Sequence, residues 1–237
     1  MTDPAGWGEP LYERVLADVP AGSTVLDVGC GPGVFAAFAL ARGMTVTGLD
    51  SSREALSRAE RTAPGAVFTI GDAHQLAGSY DVVALVQVLA HLTNPVRALA
   101  EAGRVGGRVR ATVWGREEES DLRLFGAALE PFLPPRSQRR TPAGPPPLTD
   151  PARFRRIAGL AGLEVVGLAE VRSPFRYPDD ESLVGPLLAS DLGRYAAARA
   201  GAEAVREAVL DTFAPRREAG GYVLTNLFRV LDAVARG

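Results

Sequence analysis

Apolar residues in the first half of the chain fall into short β-rich runs that alternate with stretches at helical spacing, the pattern of a parallel sheet covered on both faces. Strands are predicted over Thr24–Val28, Thr45–Leu49, Val67–Ile70 and Tyr80–Val86, with helices over Val34–Arg42, Ser52–Arg61 and Pro95–Ala102 between them. A fifth strand follows at Arg108–Trp114. The helix starts carry chemical signals. Ser51-Ser52 can cap the second helix, and Asn94-Pro95 sets a capping side chain before a first-turn proline.

After Gly115 the pattern changes. A charged, helix-like run through Glu130 leads into Pro131–Pro135 and then the segment 139–147, too dense in proline to continue a helix or a central strand. An exposed connection is expected there. Thr149-Asp150-Pro151 opens a helix to about Ala161, with Gly162 as its C-cap. Glu164–Ser173 reads as a sixth strand, and Gly221–Val230 as a seventh that turns into a terminal helix through Val234. Between them Asp179–Ser182 opens a helical insertion, with an alanine-rich stretch over 196–204 and apolar positions at helical spacing over 203–213. The expectation is one domain over 1–237 with insertions at about 116–149 and 174–219.

Composition removes several classes of function. Apolar residues at 46% and charged residues at 23% are ordinary for a globular chain, so neither a fibre nor wholesale disorder is implied. The 26 basic and 28 acidic residues nearly cancel, which leaves no electrostatic footprint for nucleic acid or an anionic membrane. Cys30 stands alone, excluding an internal disulfide and a cysteine metal cluster, and it suits a reducing cytoplasm. Met1–Pro20 lacks the basic flank and apolar block of a signal peptide, and no apolar run approaches transmembrane length. A cytoplasmic location is expected.

The chemistry concentrates at strand ends. Val25-Leu26-Asp27-Val28-Gly29-Cys30-Gly31-Pro32-Gly33 joins an apolar strand to an apolar helix through a turn where missing side chains let a nucleoside approach the backbone. The spacing Gly-x-Gly-x-Gly differs from the Gly-x-Gly-x-x-Gly of dinucleotide-binding sheets. A carboxylate at Asp27 would repel a pyrophosphate and attract an ammonium. Asp50 ends the second strand, where it can accept hydrogen bonds from both ribose hydroxyls or merely cap the next helix with Ser51 and Ser52; the glycine turn upstream favours the ribose. Gly71-Asp72-Ala73 ends the third strand and places Asp72 to accept an adenine amine, the competing reading being a plain turn. Asp81 starts the fourth strand at the opposite end and reads as structural.

These residues resemble the class I S-adenosylmethionine (SAM)-dependent methyltransferases, especially the small-molecule enzymes of ubiquinone and menaquinone biosynthesis. Val25–Gly33 is similar to the first family motif, Gly48-Leu49-Asp50 to the ribose-binding position, Gly71-Asp72-Ala73 to the adenine-contacting position, and Asp81–Leu92 to the fourth-strand motif. Arg104-Val105-Gly106-Gly107 is shorter than the family's loop into strand five. The likeness covers about residues 20–115 well and the remainder in outline. It implies a Rossmann-like α/β fold: a seven-stranded, mostly parallel sheet in the order 3-2-1-4-5-7-6, strand seven antiparallel, helices on both faces and helical lid insertions. It further implies a cofactor set of Asp27, Gly29, Cys30, Gly31, Gly33, Asp50, Ser51, Asp72, Ala73, Gln87 and Val88, the last two beside the methionine or sulfonium, with S-adenosylhomocysteine as product.

Methyl transfer is an in-line displacement, so a protein mainly aligns donor and nucleophile and, where the nucleophile carries a proton, removes it. His91 is the candidate base, with packing in a helix as the favoured alternative; His74 reads as a rim residue near the adenine. Cys30 reads as a packing residue rather than a nucleophile. With two histidines in the chain and no carboxylate cluster at ligand spacing, no metal is expected. The acceptor's contacts are expected from the insertions and from the segment holding Trp7 and Tyr12, although Phe125, Phe132, Phe175, Tyr177 and Tyr195 are read first as packing and Arg172, Arg176 and Arg194 as solvated surface. The leading reading is a methyltransferase acting on a small molecule, and the arginine-, alanine- and proline-rich composition points to a specialised metabolite. Two others stand beside it: a SAM-binding cyclase or pericyclase that does not methylate, and a non-enzymatic binding or regulatory protein of the same fold. The reading leaves room for a homodimer.

Overall fold

A computed structural model describes residues 6–135 and 147–236. Its strands are β1 (Thr24–Val28), β2 (Thr45–Asp50), β3 (Val67–Ile70), β4 (Tyr80–Leu85), β5 (Gly106–Trp114), β6 (Leu163–Tyr177), β7 (Arg217–Glu218) and β8 (Gly221–Ala235). They form one sheet in the order β3-β2-β1-β4-β5-β8-β6, with the two-residue β7 paired to β8. Pairings from β3 across to β5 are parallel, and β8 runs antiparallel to β5. Apart from the added β7, this is the order expected from the sequence. The central strands are buried almost throughout, as sheets covered on both faces require, whereas β3 at the edge exposes Val67 and Ile70.

The chain divides into two compact units. One comprises residues 8–115, 147–171 and 228–236 of the described chain, the other residues 6–7, 116–135 and 172–227. In the first, helices α1 (Glu9–Val15), α2 (Val34–Ala41), α3 (Arg53–Thr62), α4 (Pro95–Val105) and α6 (Pro151–Leu160) accompany the parallel strands. Ser52, Asn94 and Asp150 each accept a backbone N–H three residues on, capping α3, α4 and α6. Leu26, Val28, Val83, Leu85, Leu99, Val109, Phe154 and Leu231 lie in its apolar core. In the second unit, α5 (Arg123–Leu129), α7 (Asp180–Leu188), α8 (Asp191–Ala200) and α9 (Ala202–Phe213) bury Leu183, Val184, Val205, Val209 and Phe213. The Phe125 and Phe213 rings there stand 4.5 Å apart.

Three expectations need correction. The expected terminal helix is strand: β8 continues to Ala235, its register with β5 running from Trp114↔Phe228 to Val109↔Ala233. A strand buried on both faces needs an apolar residue at nearly every position, which period alone cannot tell from a buried helix. Helix α1 was not expected at all, although Leu11, Tyr12 and Val15 supply its buried stripe behind Pro10. The charged run after Gly115 forms a 3-10 turn over Glu117–Glu119 before α5, and Ser120 between them bridges to Asn226. Of the proline-rich segment 139–147, residues 139–146 lie outside the described residues. Among the described residues no helix is long and apolar enough to cross a membrane.

Candidate functional site

Sheet order turns back between β1 and β4, and at such a switch point the loops after neighbouring strands part and leave a crevice at the carboxyl ends. A cavity of about 580 Å³ occupies this place, within the roughly 300–1,000 Å³ usual for small-molecule sites. Its wall takes Gly29 from the end of β1, Leu49, Asp50 and Ser51 from β2, Gly71, Asp72 and Ala73 from β3, and Val86, Gln87, Val88, His91 and Leu92 from β4. Eight of the expected site residues are thus brought together: Gly29, Asp50, Ser51, Asp72, Ala73, Gln87, Val88 and His91. Asp27, Cys30, Gly31 and Gly33 are not on the wall.

The three glycines of the turn all take positive φ, at 70°, 53° and 81°, yet each is needed for a different reason. A Cβ on Gly29 would lie 2.3 Å from a Val88 methyl, and one on Gly33 would lie 2.9 Å from Cα of Ala59 in α3. Gly31 faces open space. The turn's amides are spent internally: Gly29 and Cys30 donate to the Leu49 carbonyl, Gly31 to Asp50 Oδ2, and Gly33 to the Cys30 carbonyl. Pro32 has no N–H. A phosphate would find no donor within the turn, which agrees with the reading of the glycine spacing against a dinucleotide.

Asp50 joins the cavity to its frame. Oδ2 accepts Gly31 N–H at 2.9 Å and Oδ1 accepts Ser52 N–H at 2.8 Å, so the carboxylate fixes both the glycine turn and the start of α3 while lining the wall. Each oxygen keeps a further lone pair for a ligand hydroxyl. The helix cap itself is Ser52, whose side chain accepts from Ala55 N–H.

Asp27 is 1% exposed, and its Oδ2 has no hydrogen-bond partner. Its strand neighbours are Gly48 and Ala84, which leave room for a carboxyl. Burial, and then the Asp50 charge, push its pKa up to about 7. Cys30 is pushed up to about 12 by burial and the same two carboxylates, so its thiol stays protonated and is a poor nucleophile.

At the β3 end, Asp72 Oδ1 accepts the His74 N–H at 2.9 Å and meets His74 Nδ1 at 2.7 Å. The His74 amide, then its imidazole, hold the Asp72 carboxyl below its usual range. His74 itself is not on the wall, and its Nε2 is buried without a partner. Asp81, at the far end of β4, accepts from Thr24 N–H and Oγ1, both at 2.8 Å.

Past β4 the backbone departs from the usual regions. Gln87 has φ of 57°, the one non-glycine residue with positive φ among those described, and its N–H and Nε2 both donate to Thr112 Oγ1 at 2.9 Å. His91 closes a 3-10 turn, Leu89–His91, and is exposed at the cavity rather than packed within a longer helix. Sequence reasoning quoted Leu49, Gly71, Val86 and Leu92 within family motifs but left them out of the cofactor set, and it gave no sign of Thr112. Among the described residues no group of three His, Cys, Asp or Glu side chains is gathered as for a metal ion.

The fold and cavity define a nucleoside-binding domain with its site at the switch point of a mostly parallel sheet. Residues 26–109 match the family described as "Methyltransferase domain". The ubiquinone biosynthesis O-methyltransferase of Aromatoleum aromaticum is 32% identical over 165 residues, covering 63% of this chain and 68% of that protein. The protein of the same description from Vibrio parahaemolyticus is 38% identical over 122 residues, covering 47% of this chain; the match spans about half, 52%, of that protein's length. Among solved structures, the cyclase SpnF superposes with a TM-score of 0.58 at 22% identity, over 95% of this chain and 80% of SpnF. The chain belongs to the class I SAM-dependent methyltransferase family.

The residues present fit that family's cofactor, S-adenosylmethionine. The wall offers acceptors, the Asp50 and Asp72 carboxylates and the Gln87 amide, where a nucleoside with ribose hydroxyls, an exocyclic amine and a cationic amino acid offers donors.

Proposed function

We propose that the chain is a SAM-dependent methyltransferase acting on a small molecule, a specialised metabolite in the cytoplasm, by in-line transfer to an oxygen, nitrogen or carbon nucleophile. One observation carries this reading: the cavity ringed by Asp50, Asp72 and Gln87 above a glycine turn whose amides are already satisfied. SAM supplies an electrophilic methyl group on a cationic sulfur. In this assignment Asp50 takes the ribose hydroxyls beside Ser51, and Asp72 takes the adenine amine beside Ala73. Gln87 and Val88 border the methionine, while Asp27, Gly29, Cys30, Gly31 and Gly33 shape the turn beneath. His91, exposed on the wall, receives the proton when the acceptor is a hydroxyl or ammonium. In this reading residues 1–237 are one methyltransferase-type domain whose insertions at about 116–149 and 174–219 select the acceptor.

Isothermal titration with SAM and S-adenosylhomocysteine tests this. Binding by the wild type is expected, with Asp50→Ala weaker by at least about ten-fold, because the loss leaves ligand hydroxyls and the Gly31 and Ser52 amides without their acceptor. No heat of binding at high ligand concentration would overturn the reading. The fold shared with a cyclase supports a second reading, in which the bound sulfonium acts through its charge and keeps its methyl. Turnover of an acceptor without release of S-adenosylhomocysteine would select it.

A further inference from the structure

Gln87 is held in a backbone conformation that a glutamine seldom adopts, and it lies on the cavity wall. Residues kept in sparsely populated regions persist only where the surroundings over-determine them, and they gather at functional sites. Here two hydrogen bonds from Gln87 converge on a single atom. Thr112 lies within β5, is 0% exposed, and stands opposite Val230 of β8, so its position is fixed by the sheet on that side. Its Oγ1 receives the Gln87 backbone N–H and the Gln87 side-chain N–H, each at 2.9 Å. A hydroxyl oxygen has two lone pairs, and Gln87 fills both. The first bond fixes the backbone of Gln87. The second fixes which end of the amide remains: with Nε2 committed to Thr112, Oε1 is the acceptor left for a ligand.

We propose that Thr112 is the positioning residue of the cofactor site, locking Gln87 so that its amide oxygen is the acceptor offered to the cationic methionine end of bound SAM. The inference rests on the reading of the cavity as the SAM site. Thr112 touches no ligand in this scheme and acts through Gln87. Without the lock a free glutamine amide rotates, offering donor and acceptor ends alike, and a donor end repels an ammonium or sulfonium.

Binding of S-adenosylhomocysteine by titration calorimetry, with melting temperature measured alongside, tests the lock. Thr112→Val keeps the shape and removes the oxygen. We expect its Kd to rise about ten-fold, and Thr112→Ser, which restores the oxygen, to stay within about three-fold of wild type. Gln87→Gly adopts the positive φ without strain and has no amide, so it separates backbone from side chain. Its Kd should also rise about ten-fold, and Gln87→Gly with Thr112→Val should be no worse than the weaker single variant. A merely structural Thr112 would lower the melting temperature and leave Kd unchanged, which overturns the proposal. So does a Gln87→Gly variant that binds like wild type, since Thr112 would then brace the backbone alone. If Thr112→Val does not fold, Thr112→Cys, a weak acceptor of similar size, takes its place with the same expectation. Wild-type protein that binds no S-adenosylhomocysteine refutes the reading of the cavity; wild-type binding with indifferent variants refutes the lock alone.

Discussion

Asp27 carries a carboxyl that the fold leaves without a partner on one oxygen, and the effect on stability follows from its titration. Unfolded, the group titrates near its ordinary 3.8; folded, near 7. Between those values the native protein holds a proton that the unfolded chain has released, so stability falls as pH rises from about 4 to about 7 and then levels. Asp27→Asn removes this dependence. Its stability relative to wild type is expected to be greater at pH 8 than at pH 5 by about 2–4 kcal/mol, read from denaturant melts at the two values. Equal differences at both would show that the native carboxyl is ionised throughout. Neither the burial of Asp27 nor its raised pKa was legible from the sequence, which read it as a charged carboxylate placed to attract the cofactor's ammonium, whereas it is buried and off the cavity wall. Its place in a central strand between β2 and β4 buries it, and that burial with the Asp50 charge raises the pKa.

Elements β1 to β5 and the caps of α3, α4 and α6 were legible because local chemistry agrees with the fold there: apolar runs for buried strands, and Ser52, Asn94 and Asp150 at helix starts. The site's outline followed, since strand ends in such a sheet face the crevice. What the sequence withheld depends on contacts between distant residues. Strand β8 looked helical at its end because a largely apolar run fits a buried helix as well as a buried strand, and only the structure reveals that Arg229 and Asp232 within it are buried with ionic partners. Thr112 lies in a run of β5 that reads as ordinary core. The glycine turn gives a test at this scale. Gly33→Ala combines positive φ with a Cβ 2.9 Å from the backbone of α3, whereas Gly22→Ala, at φ of 86°, meets nothing within 4 Å. Strain alone costs about 1 kcal/mol, and the clash adds about 1–3. Equilibrium denaturation should therefore rank Gly33→Ala at about 2–4 kcal/mol of destabilisation and Gly22→Ala at about 1. Equal losses would mean that α3 moves aside freely.

At the scale of the whole chain, all 26 basic residues are arginines, whose guanidinium groups keep their charge to above about pH 12. The ion pairs of Arg108 with Asp18 and of Arg216 with Asp121, in which each guanidinium is raised and each carboxyl lowered by its partner, thus do not titrate in alkali. Cys30, pushed up from 9.0 to about 12, begins to cost a little stability near pH 9 as the unfolded thiol ionises, and Tyr222, raised by burial and by its bond to Asp180, does so only near 10.0 and above. Once Asp27 is ionised, the melting temperature should change by less than about 3 °C between pH 8 and 9.5, a range over which lysine-bearing proteins begin to lose their pairs. A steep fall by differential scanning calorimetry would contradict this. The pairing of β5 with β8 has a consequence in time. Every strand end lining the cavity is made early, but Arg108 finds Asp232 only 124 residues later. Until then β5 has an open edge, and Arg110, fully buried in the finished fold, lacks one of its two aspartates. A ribosome emitting this chain at roughly 5–20 residues per second would leave that edge of β5 unpaired for many seconds, beside a cavity wall already emitted, before residues 228–233 pair with it.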